Sequence, residues 1–66
     1  MDVNRWNFDV IRSANEVLGS GLSMAHDTDE VVAMVKGMAE GMDEPEAGWY
    51  VADVLNAINE REMALE

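Results

Sequence analysis

Apolar residues recur at intervals of three and four along three stretches of the chain, which is the spacing of an amphipathic helix. No stretch alternates with period two for long enough to indicate a strand. In the first stretch the stripe consists of Val3, Trp6, Val10, Ala14 and Val17, widened by Ile11 and Leu18. The stripe ends before Gly19-Ser20-Gly21, where glycine can take the left-handed conformation that closes a helix. This pattern predicts a helix over about 4–18, followed by a connection with two apolar anchors, Leu22 and Met24.

The second stretch opens with a helix-start signal at residues 27–30, of the capping-box type. In that interpretation Asp27 is the N-cap and Glu30 reaches back to it, although Thr28 could cap instead. The stripe that follows consists of Val31, Met34, Val35, Met38 and Met42. It predicts a helix over about 28–42. Gly37 and Gly41 lie along its edge, four residues apart, and we expect them to allow a neighbouring helix to approach closely, at a propensity cost of about 1 kcal/mol each.

A third start signal lies at residues 43–46, where Asp43 or Glu44 can cap and Pro45 is expected in the first turn. The stripe after it consists of Ala47, Val51, Val54, Leu55 and Ile58. We therefore predict a helix over about 44–64. Leu65-Glu66 resembles a residue pair often left by expression vectors, so no role is assigned to it.

Three amphipathic helices with short connections predict an all-α fold, a small three-helix bundle formed by one domain over residues 1–66. A hairpin of two long helices that completes its core by dimerising is the alternative. The chain has 66 residues and no cysteine. Disulfides, thiolate metal sites and cysteine nucleophiles are therefore excluded.

Negative charge is the most pronounced feature of the composition. Fourteen acidic residues against four basic ones give a net charge of −10, and the acids are concentrated over residues 27–46. Such a field repels nucleic acid and anionic lipid and attracts basic surfaces. The alternative explanation is that the negative charge only keeps a small protein soluble. We expect no direct nucleic-acid binding and no membrane association. With no signal peptide at the start and no apolar run near the roughly 20 residues that span a bilayer, we expect a cytoplasmic protein.

His26 is the single histidine, and the residues around it are the strongest candidates for chemistry. A catalytic histidine needs a nucleophile and an orienting carboxylate, and sequence proximity to Asp27 and Asp29 does not supply that geometry. A calcium loop would need oxygen ligands where Val31 and Val32 stand, and zinc needs more nitrogen or sulfur ligands. We therefore expect no catalytic residue, no metal and no cofactor.

Three large apolar residues lie well away from the helical stripes. On a helical wheel Trp49 and Met63 lie nearly opposite the core stripe of the third helix, and Phe8 lies off the stripe of the first. Exposed aromatic residues concentrate at binding hot spots. We therefore predict a partner-binding surface in which apolar anchors combine with acidic residues. Its members are Phe8, Trp49, Met63, Asp27, Asp29, Glu30, Glu40, Asp43, Glu44 and Glu46.

These features favour a non-enzymatic module that binds, and inhibits, a basic surface of a larger macromolecule, another protein. In size, charge and helical content the chain is similar in type to phage-encoded inhibitors such as anti-CRISPR and DNA-mimic proteins, although no motif carries that comparison. An antitoxin or immunity protein is a special case of the same function. The alternative is a structural or assembly subunit, a possible homodimer, that self-associates through Gly37, Gly41 and the methionine stripe.

Overall fold

The computed structural model describes residues 3–65, and burial is assigned for the side chains of residues 4–64. Within that range the chain forms three helices and no strand: α1 over Val3–Gly19, α2 over Thr28–Met38 and α3 over Glu46–Leu65. The molecule measures 34 × 23 × 15 Å. The predicted three-helix fold is confirmed.

The buried face of α1 matches the predicted stripe, since Val10, Ala14 and Val17 are all buried. Ile11 was expected to widen that stripe, but it is 43% exposed. Its side chain lies about 100° around the helix from Val10, which places it outside the contact with the other helices. The expected core position of Val3 and the expectation for Leu65-Glu66 fall on side chains outside the described ones.

The α1–α2 connection is held by local and long-range hydrogen bonds. Gly21 has a φ of +83°, as expected for a glycine that ends a helix. Leu22 and Met24 pack against the core, and the backbone N–H of Met24 donates to Glu62 Oε1 in α3 at 2.9 Å. Asp27 Oδ2 accepts from the backbone N–H of Ser23 at 3.1 Å, and Asp27 makes no side-chain capping bond to α2. Asp27 is the N-cap residue, as predicted, but the side-chain bonds of a capping box are absent because this carboxylate closes the preceding turn.

Helix α2 ends at Met38, four residues before the predicted end. The backbone N–H of Ala39 is shared between the carbonyls of Val35 and Lys36, so the last turn tightens and the chain leaves the helix. Gly37 lies inside α2 and Gly41 beyond it. Both are exposed, and a Cβ added to either would meet no atom within 4 Å. The predicted close approach of a helix at these glycines is wrong.

Helix α3 begins at Glu46, two residues later than predicted, with Pro45 just before its first turn. The backbone N–H of Ala47 donates to the carbonyl of Asp43 at 3.0 Å, which closes the turn into the helix. The buried face of α3 consists of Tyr50, Val54 and Ile58. Tyr50 was not predicted in the core, whereas Val51 and Leu55 from the predicted stripe are only half-buried.

The core joins all three helices through alanine, valine and isoleucine side chains and the ring of Tyr50. It consists of Val10, Ala14, Val17, Val31, Val35, Ala39, Tyr50, Val54 and Ile58. Trp6 covers one end of it, with its ring 5.4 Å from that of Tyr50 in an edge-to-face arrangement. Trp6 contacts the first half of α3 while Met24, beyond the end of α1, contacts Glu62 near the end of α3. Helices α1 and α3 therefore run in the same general direction and pack against each other, and α2 runs back in the opposite direction and packs against both.

Candidate interaction surface

The acidic side chains fall into two groups according to their partners. Four of them are engaged with other groups of the protein: Glu16, Asp27, Asp53 and Glu62. Among the hydrogen bonds between side chains, the one that links the residues farthest apart in sequence runs from Trp6 Nε1, the donor, to Asp53 Oδ2 at 2.8 Å. These carboxylates hold turns and helices together, so their charge serves the fold itself.

The second group contains six of the seven acidic residues predicted to bind a partner. They are Asp29, Glu30, Glu40, Asp43, Glu44 and Glu46, and all six are exposed. Within residues 3–65 their side chains have no hydrogen bond and no ion pair. Asp27 is the exception among the seven because its carboxylate bonds to Ser23. The negative charge of the six is therefore turned to solvent and is available to an approaching molecule.

Helix α2 divides these six carboxylates into two clusters. Asp29 and Glu30 lie in its first turn, and the other four lie around the α2–α3 connection. We call Glu40, Asp43, Glu44 and Glu46 the junction cluster. The 11 residues of α2 give it a length of about 16 Å. Since the Debye length is about 8 Å at physiological ionic strength, the two clusters act largely as separate patches.

Trp49 lies beside the junction cluster, in the first turns of α3, and is 59% exposed. Glu46 is three residues before it and Asp53 four residues after it. Residues at these spacings are neighbours on one helical face, so Trp49 is flanked by a carboxylate on each side along α3. We call Trp49 together with the junction cluster the junction surface. It combines a large exposed aromatic ring with four unpaired negative charges.

The other two predicted anchors lie elsewhere on the molecule. Phe8 is 64% exposed and follows the α3-contacting Trp6 by two residues, which turns it about 200° around α1 and away from α3. With Ile11 and Asn15 it lines a shallow depression on the outer side of α1. Met63 is 65% exposed but lies about 21 Å along α3 from Trp49. The three anchors therefore do not form one patch, and only Trp49 adjoins the junction cluster.

A groove next to the junction cluster was not predicted from the sequence. It lies between the end of α2 and the first turns of α3, with Ala39, Met42, Ala47 and Val51 among its lining residues. Its remaining lining residues are Lys36, Glu40, Glu44 and Gly48. Gly48 was the sequence signal for this groove, because glycine lowers the stability of a helix and marks a position without a side chain. Its recognition as one wall of a groove required the packing of α2 against α3.

The region around His26 offers few groups for chemistry. His26 is exposed, and the hydroxyl of Ser23 accepts a hydrogen bond from the backbone N–H of Ala25 at 3.1 Å. A shallow depression is lined by residues 26–30. In the part of the chain that the structure describes, no three histidine, aspartate or glutamate side chains are grouped so that they could hold a metal ion.

The fold and its surface together define a small acidic three-helix bundle with an exposed tryptophan in the first turns of α3. Over residues 3–65 no helix has the length and apolar character needed to cross a membrane. The chain matches no protein-family model, and neither a curated protein nor a solved structure matches it.

Proposed function

We propose that the protein is a non-enzymatic interaction module that binds a basic surface of another, larger protein and inhibits it by covering that surface. The observation that carries the proposal is the junction surface. There Trp49 is exposed between Glu46 and Asp53 along α3, and Glu46 is one of four junction carboxylates without a partner among the described residues. Solubility alone accounts for the negative charge, whereas a large exposed ring next to Glu46 and Asp53 also offers apolar area to a partner.

The carboxylates and the tryptophan of the junction surface contribute to binding in different ways. Unpaired carboxylates attract a basic partner over a distance of about one Debye length and raise the association rate. Trp49 then supplies apolar area that leaves water on contact, which is the property of hot-spot residues. The combination gives a surface that is selective for a partner with cationic groups around an apolar pocket. An antitoxin or immunity protein acting on a basic enzyme would use the same surface.

The arrangement of charge favours a discrete protein-binding patch over imitation of DNA. Duplex DNA carries one negative charge per about 1.7 Å of helix axis. Here the two acidic clusters lie at opposite ends of α2, and the exposed residues between them include Ala33, Lys36 and Gly37. A gap of this length that contains a positive charge interrupts any continuous track of phosphate-like groups.

Self-association is the second candidate function, and the exposed side of α1 is the observation that favours it. Phe8 and Ile11 form an apolar area there. The methionine stripe contributes less than expected, because Met38 and Met42 pack against the core and only Met34 is exposed. Light scattering on the purified chain separates the candidates: a monomer at micromolar concentration supports a heterologous partner, and a stable dimer supports assembly.

The proposed function is tested by affinity capture from extract of the native host with three forms of the chain. Wild type and Met63→Ala are expected to capture the same basic protein, and Trp49→Ala is expected to lose it. Met63 is the matched control because it is similarly exposed on the same helix but lies away from the junction cluster. Equal capture by all three forms, or capture of no basic protein, contradicts the proposal.

A further inference from the structure

We infer that the groove between the end of α2 and the start of α3 binds one arginine side chain of the basic partner. The inference rests on the proposed function and adds to it the chemistry of the group that is recognised. Three properties of the groove carry it: its apolar floor, its charge, and the absence of a side chain at Gly48.

The floor of the groove suits the aliphatic part of a long side chain. Ala39 is buried, while Met42, Ala47 and Val51 are half-buried and pack against the core. The exposed parts of these residues are apolar and lie in a depression. The methylene groups of arginine bury well along such a surface while the charged end stays at the rim.

The charged residues of the groove match a single cation. Glu40 and Glu44 line it, and neither carboxylate has a partner within residues 3–65. Lys36 lines it too, and its ammonium group likewise makes no ion pair with any described residue. The three groups sum to one net negative charge, which one guanidinium group neutralises. Arginine fits better than lysine because its planar fork can bond two acceptor oxygens at once and is less strongly hydrated.

Gly48 keeps the groove open at the side of α3. A Cβ at this position would lie 3.4 Å from Glu44 Oε2, which is van der Waals contact, so only a side chain longer than that of alanine would compete with the carboxylate for space. Glycine in a helix interior costs about 1 kcal/mol relative to alanine.

The test is a titration of the full chain with N-acetyl-arginine methylamide at constant ionic strength, followed by ¹H–¹⁵N NMR. Saturable shifts are expected at the backbone amides of Glu40, Gly48 and Val51. The citrulline analogue, which is neutral and similar in shape, is expected to cause none, and the lysine analogue is expected to bind more weakly. Equal shifts with citrulline, equal binding of lysine, or shifts spread evenly over both acidic clusters overturn the inference.

Two pairs of variants of matched size sharpen the test. The double variant Glu40→Gln/Glu44→Gln is expected to weaken arginine binding about tenfold, which is the equivalent of one charge-assisted hydrogen bond. The control, Asp29→Asn/Glu30→Gln, removes the same charge at the far end of α2 and is expected to have little effect on arginine binding. Gly48→Met is expected to abolish the saturable shifts. Gly37→Met places the same side chain on an exposed, open position of α2 and is expected to preserve them.

The outcomes separate this inference from the proposed function. If wild type captures a basic protein in a Trp49-dependent manner but the groove does not bind the arginine analogue, the arginine site is wrong and the module stands. If the analogue binds in the groove but no basic protein is captured, the proposed function is wrong and the groove remains a cation site.

Discussion

The hydroxyl groups of Ser13 in α1 and Tyr50 in α3 lie 2.6 Å apart inside the core. The Tyr50 hydroxyl also lies 3.4 Å from the backbone carbonyl of Asp9, and either hydroxyl can be the donor in the shorter bond between Ser13 and Tyr50. A buried hydroxyl without a partner costs free energy, so a shift of α1 along α3 would be penalised. Together with the hydrogen bond from Trp6 to Asp53, this pair fixes the register of α1 against α3.

The first prediction concerns this hydroxyl pair. Tyr50→Phe leaves the Ser13 hydroxyl buried without its partner and is expected to lower the free energy of unfolding by about 1–2 kcal/mol. Ser13→Ala/Tyr50→Phe removes both hydroxyls and is expected to recover part of that loss. Urea unfolding of the wild type, both single variants and the double variant measures the coupling. Strictly additive effects would show that the two groups do not depend on each other.

The two tryptophans are predicted to respond oppositely to substitution. Trp49→Ala is expected to change the free energy of unfolding by less than about 0.5 kcal/mol, because this ring is mostly exposed. It should weaken partner binding by about 2 kcal/mol or more, roughly 30-fold. Trp6→Ala removes the contact with Tyr50 and the bond to Asp53, and should cost about 2 kcal/mol of stability. Thermal unfolding and calorimetric titration give the two quantities; a large stability loss for Trp49→Ala would place that ring in the core.

The association rate with a basic partner is predicted to depend on the junction cluster. Stopped-flow measurements should show the rate falling steeply between low and high salt, because the carboxylates are exposed and screened by ions. Neutralising the four junction residues as amides should flatten that dependence. Asp29→Asn/Glu30→Gln should change it less, since these residues lie at the other end of α2. A rate indifferent to salt would exclude steering by this surface.

Two glycines are predicted to have opposite effects when replaced by alanine. Gly37 lies in α2 in open space, so Gly37→Ala should raise the free energy of unfolding by about 0.5–1 kcal/mol through helix propensity. Gly21 has a φ of +83°, so Gly21→Ala should lower it by about 1 kcal/mol. Thermal unfolding monitored by circular dichroism measures both. A destabilised Gly37→Ala would indicate a contact at this position, such as a second copy of the chain.

Part of the interaction surface could be read from the sequence. The outward direction of Trp49 followed from its angle to the core stripe, since a rigid helix holds that angle. Its proximity to the junction cluster also followed, because these residues are close along the chain. Asp53 and Glu62 were missed as structural carboxylates because their partners, Trp6 and Met24, are more than thirty residues away. Nothing in a local pattern links such positions.

The sequence by itself determined the three helices and most of their buried faces, because helical periodicity and the glycine and proline breaks act over only a few residues. Only the tertiary structure decided that α2 stops at Met38, that Tyr50 enters the core, and that the groove beside Gly48 exists. It also split the acidic residues into two clusters. These features depend on which helices pack together and at what register, and that choice rests on contacts between residues distant in the chain.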